Sequence, residues 1–304
     1  MSTESVVPNS LRAWWLAARP KTLSGAALPV MTAAALAWAN GQFRLLPALL
    51  CLAFAELMQV AANFINDLFD FKKGTDGSER LGPERACAQG WITPPVMWRG
   101  IVVVLAAAAA VGLWLVFGAA NYQLSTVNYQ LLVAVGAACI VFAFLYTTLL
   151  SYCGLGDVLV YVFFGFVPVL GTYFVQAGRL CAEAWWLSAA IALAVDTLLV
   201  LNNFRDRDTD RASGKRTLIA VLGGRFGSLF YLVQGLLAYA CCVAIACLGH
   251  PLCAVLPLVY VAMHVSTWRT MVSIWKGREL NRVLGLTSRN MLVLGITLVA
   301  AFLC

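Results

Sequence analysis

Charge is scarce in this chain. Of its 304 residues only 12% are Asp, Glu, Lys or Arg, where a soluble domain carries roughly a quarter. That shortage excludes an ordinary water-soluble globule. Histidine is nearly absent as well: His250 and His264 stand alone, which suits interfacial or packing residues and not a histidine metal centre. The ten cysteines include no Cys-x-x-C pair and fall mostly inside apolar runs, so they are expected to serve as small packing residues and not as a zinc or disulfide framework. No Gly-x-Ser-x-Gly is present, and Gly214-Lys215 lacks the upstream glycine of a phosphate-binding loop.

What the chain does have is apolar length: 62% of it is hydrophobic. Counting roughly twenty apolar residues per crossing gives about nine spans, near 22–40, 45–66, 100–120, 131–150, 158–176, 185–203, 228–249, 251–268 and 288–304. The expected fold class is therefore all-α, a polytopic membrane protein with about nine transmembrane helices around a central cavity. With the N-terminus inside, every Lys and Arg except Arg44 and Arg179 falls on one side, the cytoplasmic side by the positive-inside rule. The net charge of +7 thus reports topology, and no nucleic-acid partner is expected. Before the first span, Leu11 to Lys21 forms a short amphipathic segment with Trp14, Trp15 and basic anchors. The span after it is too long for a secretory signal, so none is expected to be cleaved.

Two polar clusters interrupt this greasy background. One is Asn63-Phe64-Ile65-Asn66-Asp67-Leu68-Phe69-Asp70, at the end of the second span. The other is Asn202-Asn203-Phe204-Arg205-Asp206-Arg207-Asp208-Thr209-Asp210, at the end of the sixth. Acids at a bilayer edge are costly unless something cationic neutralises them. On a helix, Asn63, Asp67 and Asp70 lie within about 60° of one another, with Gln59 one turn earlier. Asn66 and Asp70 are spaced i, i+4. Asn202, Asp206 and Asp210 recur every fourth residue, and Asp208 points elsewhere, toward solvent or a salt bridge. Both clusters sit at helix C-termini, whose carbonyls attract cations.

Carboxylates with amide oxygens beside them suit Mg²⁺, which keeps several waters and bridges carboxylates to substrate phosphate. The metal and catalytic set expected from the sequence is Asp67, Asp70, Asp206 and Asp210. Asn63, Asn66 and Asn202 are expected to orient waters or phosphate oxygens, and Lys73, Arg80, Arg85, Lys215 and Arg216 to contact a diphosphate. Glu56 and Asp196 lie deeper in the same two spans, where proton handling and an interhelical hydrogen bond are both open. The two clusters also form an internal echo, consistent with one domain over 1–304 built from halves near 22–150 and 158–304. Polar loops near 67–99 and 204–227 would cap its cytoplasmic face, and Gly223 to Gly227 would be a flexible connection.

The motif Asn66-Asp67-Leu68-Phe69-Asp70, with the second motif Asn202 to Asp210, resembles the signatures of the UbiA-type intramembrane prenyltransferase superfamily. Further stretches resemble its 1,4-dihydroxy-2-naphthoate polyprenyltransferase branch, which serves menaquinone synthesis. They are Arg19-Pro20-Lys21-Thr22-Leu23, Lys73-Gly74-Thr75-Asp76, Leu81-Gly82-Pro83, Gly154-Leu155-Gly156-Asp157, Phe163-Phe164-Gly165, and Asn203-x-Arg205-Asp206 through Gly214-Lys215-Arg216-Thr217-Leu218. Gly74 departs from the superfamily, which often has a further Asp there. Thr147 to Tyr152 is a less polar approach to Gly154 than the family leads one to expect.

The resemblance implies Mg²⁺-dependent transfer of a polyprenyl group from its diphosphate to the naphthoate, with loss of CO₂ and diphosphate. It adds Asp157 to the substrate-binding residues. It also implies the bacterial inner membrane, with the N-terminus and active site facing the cytoplasm, and the lipid bilayer as partner. Nothing in the chain specifies an oligomeric state. Three rivals are weighed against it: a prenyltransferase acting on another aromatic acid such as 4-hydroxybenzoate, a CDP-alcohol phosphotransferase, whose longer Asp-Gly pattern is absent, and a transporter, whose acids would sit near the bilayer midplane.

Overall fold

Helices account for every regular element in the computed structural model, which describes residues 6–74, 84–119, 126–150 and 154–304. In chain order they are α1 (Leu11–Ala18), α2 (Pro20–Ala39), α3 (Leu45–Lys73), α4 (Pro94–Trp114), α5 (Thr126–Thr148), α6 (Gly156–Val160), α7 (Val167–Ala177), α8 (Ala182–Ala212), α9 (Leu218–Cys247), α10 (Leu252–Val255), α11 (Leu258–Ile274) and α12 (Leu280–Leu303). A π-turn, Leu115–Ala119, prolongs α4, and another, Tyr161–Phe166, joins α6 to α7. Nine of the resulting helical segments among the described residues are long and apolar enough to cross a membrane. The chain is an integral membrane protein.

Local chemistry sets several boundaries. Ser10 caps α1 by accepting a hydrogen bond from the Ala13 amide, and Thr217 does the same for Ala220 at the start of α9. Pro20 and Pro94 open α2 and α4, where a missing N–H costs nothing. Between α1 and α2 the chain turns through Arg19 in the left-handed region (φ 53°). Gly74 closes α3 at φ 69°, a conformation glycine adopts without a Cβ penalty. Glycine meets that backbone requirement at the position where the resemblance leads one to expect Asp.

The second and sixth spans run further than hydropathy alone indicates. α3 has 29 residues and α8 has 31, about 43 and 46 Å at 1.5 Å per residue, against a hydrocarbon core of about 30 Å. Their final turns are therefore helical extensions that carry both aspartate clusters. The stretches expected as loops are correspondingly shorter: 67–73 and 204–212 are helix, and α4 already begins at Pro94. The glycine-rich segment 223–227 is not a long loop but a kink at which two helical stretches meet. It lies within α9, with a break at Gly223 (φ 88°).

α8 is the central element, with Leu187, Ile191, Ala194, Val200, Leu201 and Phe204 fully buried. One core joins α8 to α2, α7, α9 and α12, and a separate one joins α1, α3, α4 and the turn over 84–92. At the crossing of the second π-turn with α8, a Cβ on Gly165 would stand 2.3 Å from the Cβ of Ala192 and 2.7 Å from its Cα. Backbone cannot move aside as a flexible side chain can. Gly165→Val is therefore expected to destabilise the fold by about 1–3 kcal/mol or more, read as a lower melting temperature in detergent.

His264 behaves as a packing residue. It is buried, stacks on Tyr231 at 4.7 Å and on Tyr260 at 5.5 Å, and its Nε2 lies 3.1 Å from the Tyr231 carbonyl oxygen.

Candidate active site

The C-terminal turns of α3 and α8 open into one cavity of about 2110 Å³. Its lining divides by chemistry. At one end stand Asn66, Asp70, Asn202, Asp206 and Asp210, with Arg19, Lys21, Lys73, Arg85, Arg205 and Lys215 among them. The remainder is mostly apolar, with Phe54, Phe142, Phe163, Phe164 and aliphatic side chains from α2, α4, α5 and α7, interrupted by Gln59, Tyr146 and Thr172.

Each cavity-facing carboxylate engages a basic side chain. Arg85 meets Asp70 at 2.8 Å. Arg205 grips its neighbour Asp206 in a fork, Nε to Oδ1 at 2.7 Å and Nη2 to Oδ2 at 2.6 Å, and its Nη1 donates to Asn281 Oδ1 at 2.8 Å. Lys215 stands 3.7 Å from Asp210, whose buried Oδ2 has no hydrogen-bond partner. Lys73 ties the end of α3 to α5 by donating to the carbonyls of Thr147 and Thr148 at 3.2 and 2.8 Å. Thr147 in turn donates to Asn66.

The stripe expected on α3 splits. Asn66 and Asp70 face the cavity, whereas Asn63 and Asp67 do not line it. Asp67 is 1% exposed; its two oxygens accept the backbone amides of Ala86 and Cys87, each at 2.8 Å, with Arg19 3.9 Å away. Asn63 donates to the Ala18 carbonyl at 2.8 Å and to Thr22 at 3.0 Å, and accepts from Gln59 at 3.2 Å. Helix spacing puts Asp70 between the two groups, about 40° from Asn66 and about 60° from Asp67. The junction of α1 with α2 and the 84–91 turn claim the Asn63–Asp67 side. On this geometry both residues brace the site from behind.

Other expected residues fall elsewhere. Arg216 is exposed and outside the cavity lining. Asp157 is 3% exposed and also off the lining, against Asp196, which accepts from Gln234 at 2.9 Å. Asp208 pairs with Lys276 at the surface, 3.1 Å apart. Arg80, Asp76 and the stretch Leu81-Gly82-Pro83 lie outside the described residues. Conversely, Arg19, Lys21, Arg205 and Asn281 line the cavity without having been assigned to it from the sequence. The turn Arg19-Pro20-Lys21, quoted only for its resemblance, was the available signal for two of them.

Among the described residues no three His, Cys, Asp or Glu side chains are close enough to hold a metal by themselves. The donors that do face the cavity are carboxylate and amide oxygens on two walls, including the orphaned Asp210 Oδ2. Such hard oxygens fit a divalent cation whose remaining ligands are waters and phosphate.

The family model for the UbiA prenyltransferase family matches residues 26–284. The chain belongs to the UbiA prenyltransferase family. Members of this family are metal-dependent as a rule.

Among curated relatives, a 1,4-dihydroxy-2-naphthoate octaprenyltransferase of Haemophilus influenzae is 35% identical, covering 81% of this chain and 80% of that protein. One of Mycobacterium tuberculosis is 36% identical over 96% of this chain and 97% of its own length. The solved apo structure of a UbiA homolog from Aeropyrum pernix shares the fold, with a TM-score of 0.66 at 17% identity, covering 90% of this chain and 97% of that one.

Proposed function

We propose that the chain transfers a polyprenyl group from a polyprenyl diphosphate to 1,4-dihydroxy-2-naphthoate, releasing CO₂ and diphosphate and giving demethylmenaquinol. The observation that carries this reading is the two-part cavity: aspartates from both α3 and α8 at one end, and a mostly apolar remainder in which an isoprenoid tail can lie. The names of the curated relatives support the naphthoate as acceptor.

Asp70, Asp206 and Asp210, with Asn66 and Asn202 beside them, would hold Mg²⁺. When bound, Mg²⁺ supplies Lewis-acid stabilisation of the departing diphosphate. Arg85, Lys215 and Lys73 are in position to add charge-assisted hydrogen bonds to its oxygens. As the allylic C–O bond breaks, its electron pair leaves with the diphosphate, and the apolar walls keep water from the allylic carbon. The ring carbon that carries the carboxylate forms the new C–C bond. Its bond to the carboxyl then breaks, the electron pair restoring the aromatic ring as CO₂ departs.

In this sequence of bonds no proton need be taken from the acceptor. Glu56 lies off the cavity lining, so Glu56→Gln is expected to keep kcat within a few-fold of the parent in a prenyl-transfer assay.

The reading extends to the chain as one catalytic unit of two related halves, in the bacterial inner membrane, with the aspartate end of the cavity at the cytoplasm. The charge asymmetry across the spans supports that orientation. The test is an assay of the purified chain with Mg²⁺, a polyprenyl diphosphate and a panel of aromatic acids. Prenylated naphthoquinol, with CO₂ released from carboxyl-labelled naphthoate, is expected. Turnover of 4-hydroxybenzoate without turnover of the naphthoate would reassign the acceptor.

A further inference from the structure

We propose that Arg205 is a diphosphate-binding residue that rests on the metal-binding carboxylate Asp206, so that the site takes Mg²⁺ together with diphosphate in preference to Mg²⁺ alone. The inference rests on the metal-site reading above and deepens it.

Arg205 is 6% exposed, yet lines the polar end of the cavity. All three of its nitrogens are engaged there: two on the carboxylate of Asp206 and one on Asn281 Oδ1 from α12. The fork on Asp206 engages both of its oxygens, so a metal binding there competes with the guanidinium for them. On the α3 wall Arg85 meets Asp70 through a single contact, Nη2 to Oδ2 at 2.8 Å. Each of these carboxylates therefore already has a cationic partner.

A bare Mg²⁺ that takes Asp206 as a ligand competes with the Arg205 guanidinium, which is buried although Asp206 is partly exposed, and leaving such a buried cation without a partner is costly. A diphosphate arriving with the metal removes that cost. Its oxygens accept the released guanidinium in the same bidentate geometry. Asn281 keeps Nη1 at the cavity wall, so a change in the Nε and Nη2 contacts suffices and the whole side chain need not relocate. Metal and diphosphate are then coupled through Arg205, and the coupling is reciprocal. The arrangement also favours departure of the metal after diphosphate release, as Arg205 returns to Asp206.

The test is calorimetry on the purified full-length chain in detergent, with two probes: Mg²⁺ alone and preformed Mg²⁺–pyrophosphate. The parent is expected to bind the complex well and the bare ion poorly. Arg205→Gln is expected to move the two in opposite directions, binding bare Mg²⁺ roughly tenfold more tightly and the complex roughly tenfold more weakly, within the range usual for coupled sites. Arg205→Lys, which keeps the charge and loses the fork, should show the same two changes at smaller size. Melting temperatures identify any variant that has not folded, and the lysine variant then carries the test.

Asp206→Asn and Asp210→Asn separate the two hypotheses. If they abolish binding of the complex while both Arg205 variants bind bare Mg²⁺ as the parent does, the metal site stands and the role of Arg205 is wrong. If the aspartate variants bind the complex unchanged, the metal-site reading itself fails and this inference falls with it.

Discussion

Asp210→Asn is expected to lower kcat/KM by about 10²–10³-fold or more, the usual cost of losing a group that stabilises charge in the transition state. The side chain keeps its size and loses the charge that a divalent metal requires. Asp210 lines the cavity, and its buried Oδ2 has no protein partner. Its pairing with Lys215 is loose at 3.7 Å, so the fold depends on it little. The melting temperature should therefore stay near that of the parent while activity collapses. Asp206→Asn should be at least as damaging, because it also leaves Arg205 without its carboxylate partner. Steady-state kinetics on freshly purified protein, with a melting curve for each sample, distinguish lost chemistry from lost structure. Near-parental turnover in Asp210→Asn would remove it from the metal set.

Asp67→Ala is expected to give the opposite pattern, a fold that melts early. Asp67 accepts two backbone amides in a buried setting and so fixes the 84–91 turn against α3. Removing it leaves the N–H groups of Ala86 and Cys87 buried without acceptors, and each such group costs about 1–3 kcal/mol. Arg85, which reaches Asp70, lies on the same turn, so loosening the turn also disturbs the site indirectly. The expected readout is a clear drop in melting temperature together with faster proteolysis near 84–91. Residual activity per folded molecule should exceed that of Asp210→Asn. A fully stable Asp67→Ala that has lost Mg²⁺–pyrophosphate binding would restore Asp67 to the metal set.

These two aspartates mark what could be read in the chain and what could not. Hydropathy was enough to locate the nine spans found among the described residues, because an apolar helix needs no partner to be recognised. It did not reveal that α3 and α8 continue past the apolar region, since a polar helical extension and a polar loop have the same composition. The i, i+4, i+8 spacing of Asn202, Asp206 and Asp210 correctly put three oxygens on one face of α8 and in one cavity. On α3 the same reasoning grouped Asp67 with Asp70. The division between them is set by what packs on each side of the helix, and the 84–91 turn arrives from a different part of the chain.

Arg205 carries part of the resemblance, but its place in the site is hidden for a related reason. Next to Asp206 in sequence, it resembles a neutralising neighbour, and only the contact with Asn281, 76 residues away, fixes it at the cavity. Arg19 and Lys21 reach the same polar end through the left-handed turn between α1 and α2, a backbone feature that residue types do not announce. Gly74 is legible in the sequence only as a departure; its left-handed position at the end of α3 is a backbone feature that the residue type alone does not give.

The most direct measurement is anomalous diffraction from crystals grown with Mn²⁺ and a diphosphate-bearing isoprenoid analogue, since Mn²⁺ accepts the oxygen ligands that Mg²⁺ does. The expected result is a manganese peak at the polar end of the cavity, joined to diphosphate density and within coordination distance of carboxylates from both α3 and α8, with Arg205 moved from Asp206 onto the phosphate. Metal found at Asp67, or held by only one of the two helices with the diphosphate elsewhere, would contradict a shared site.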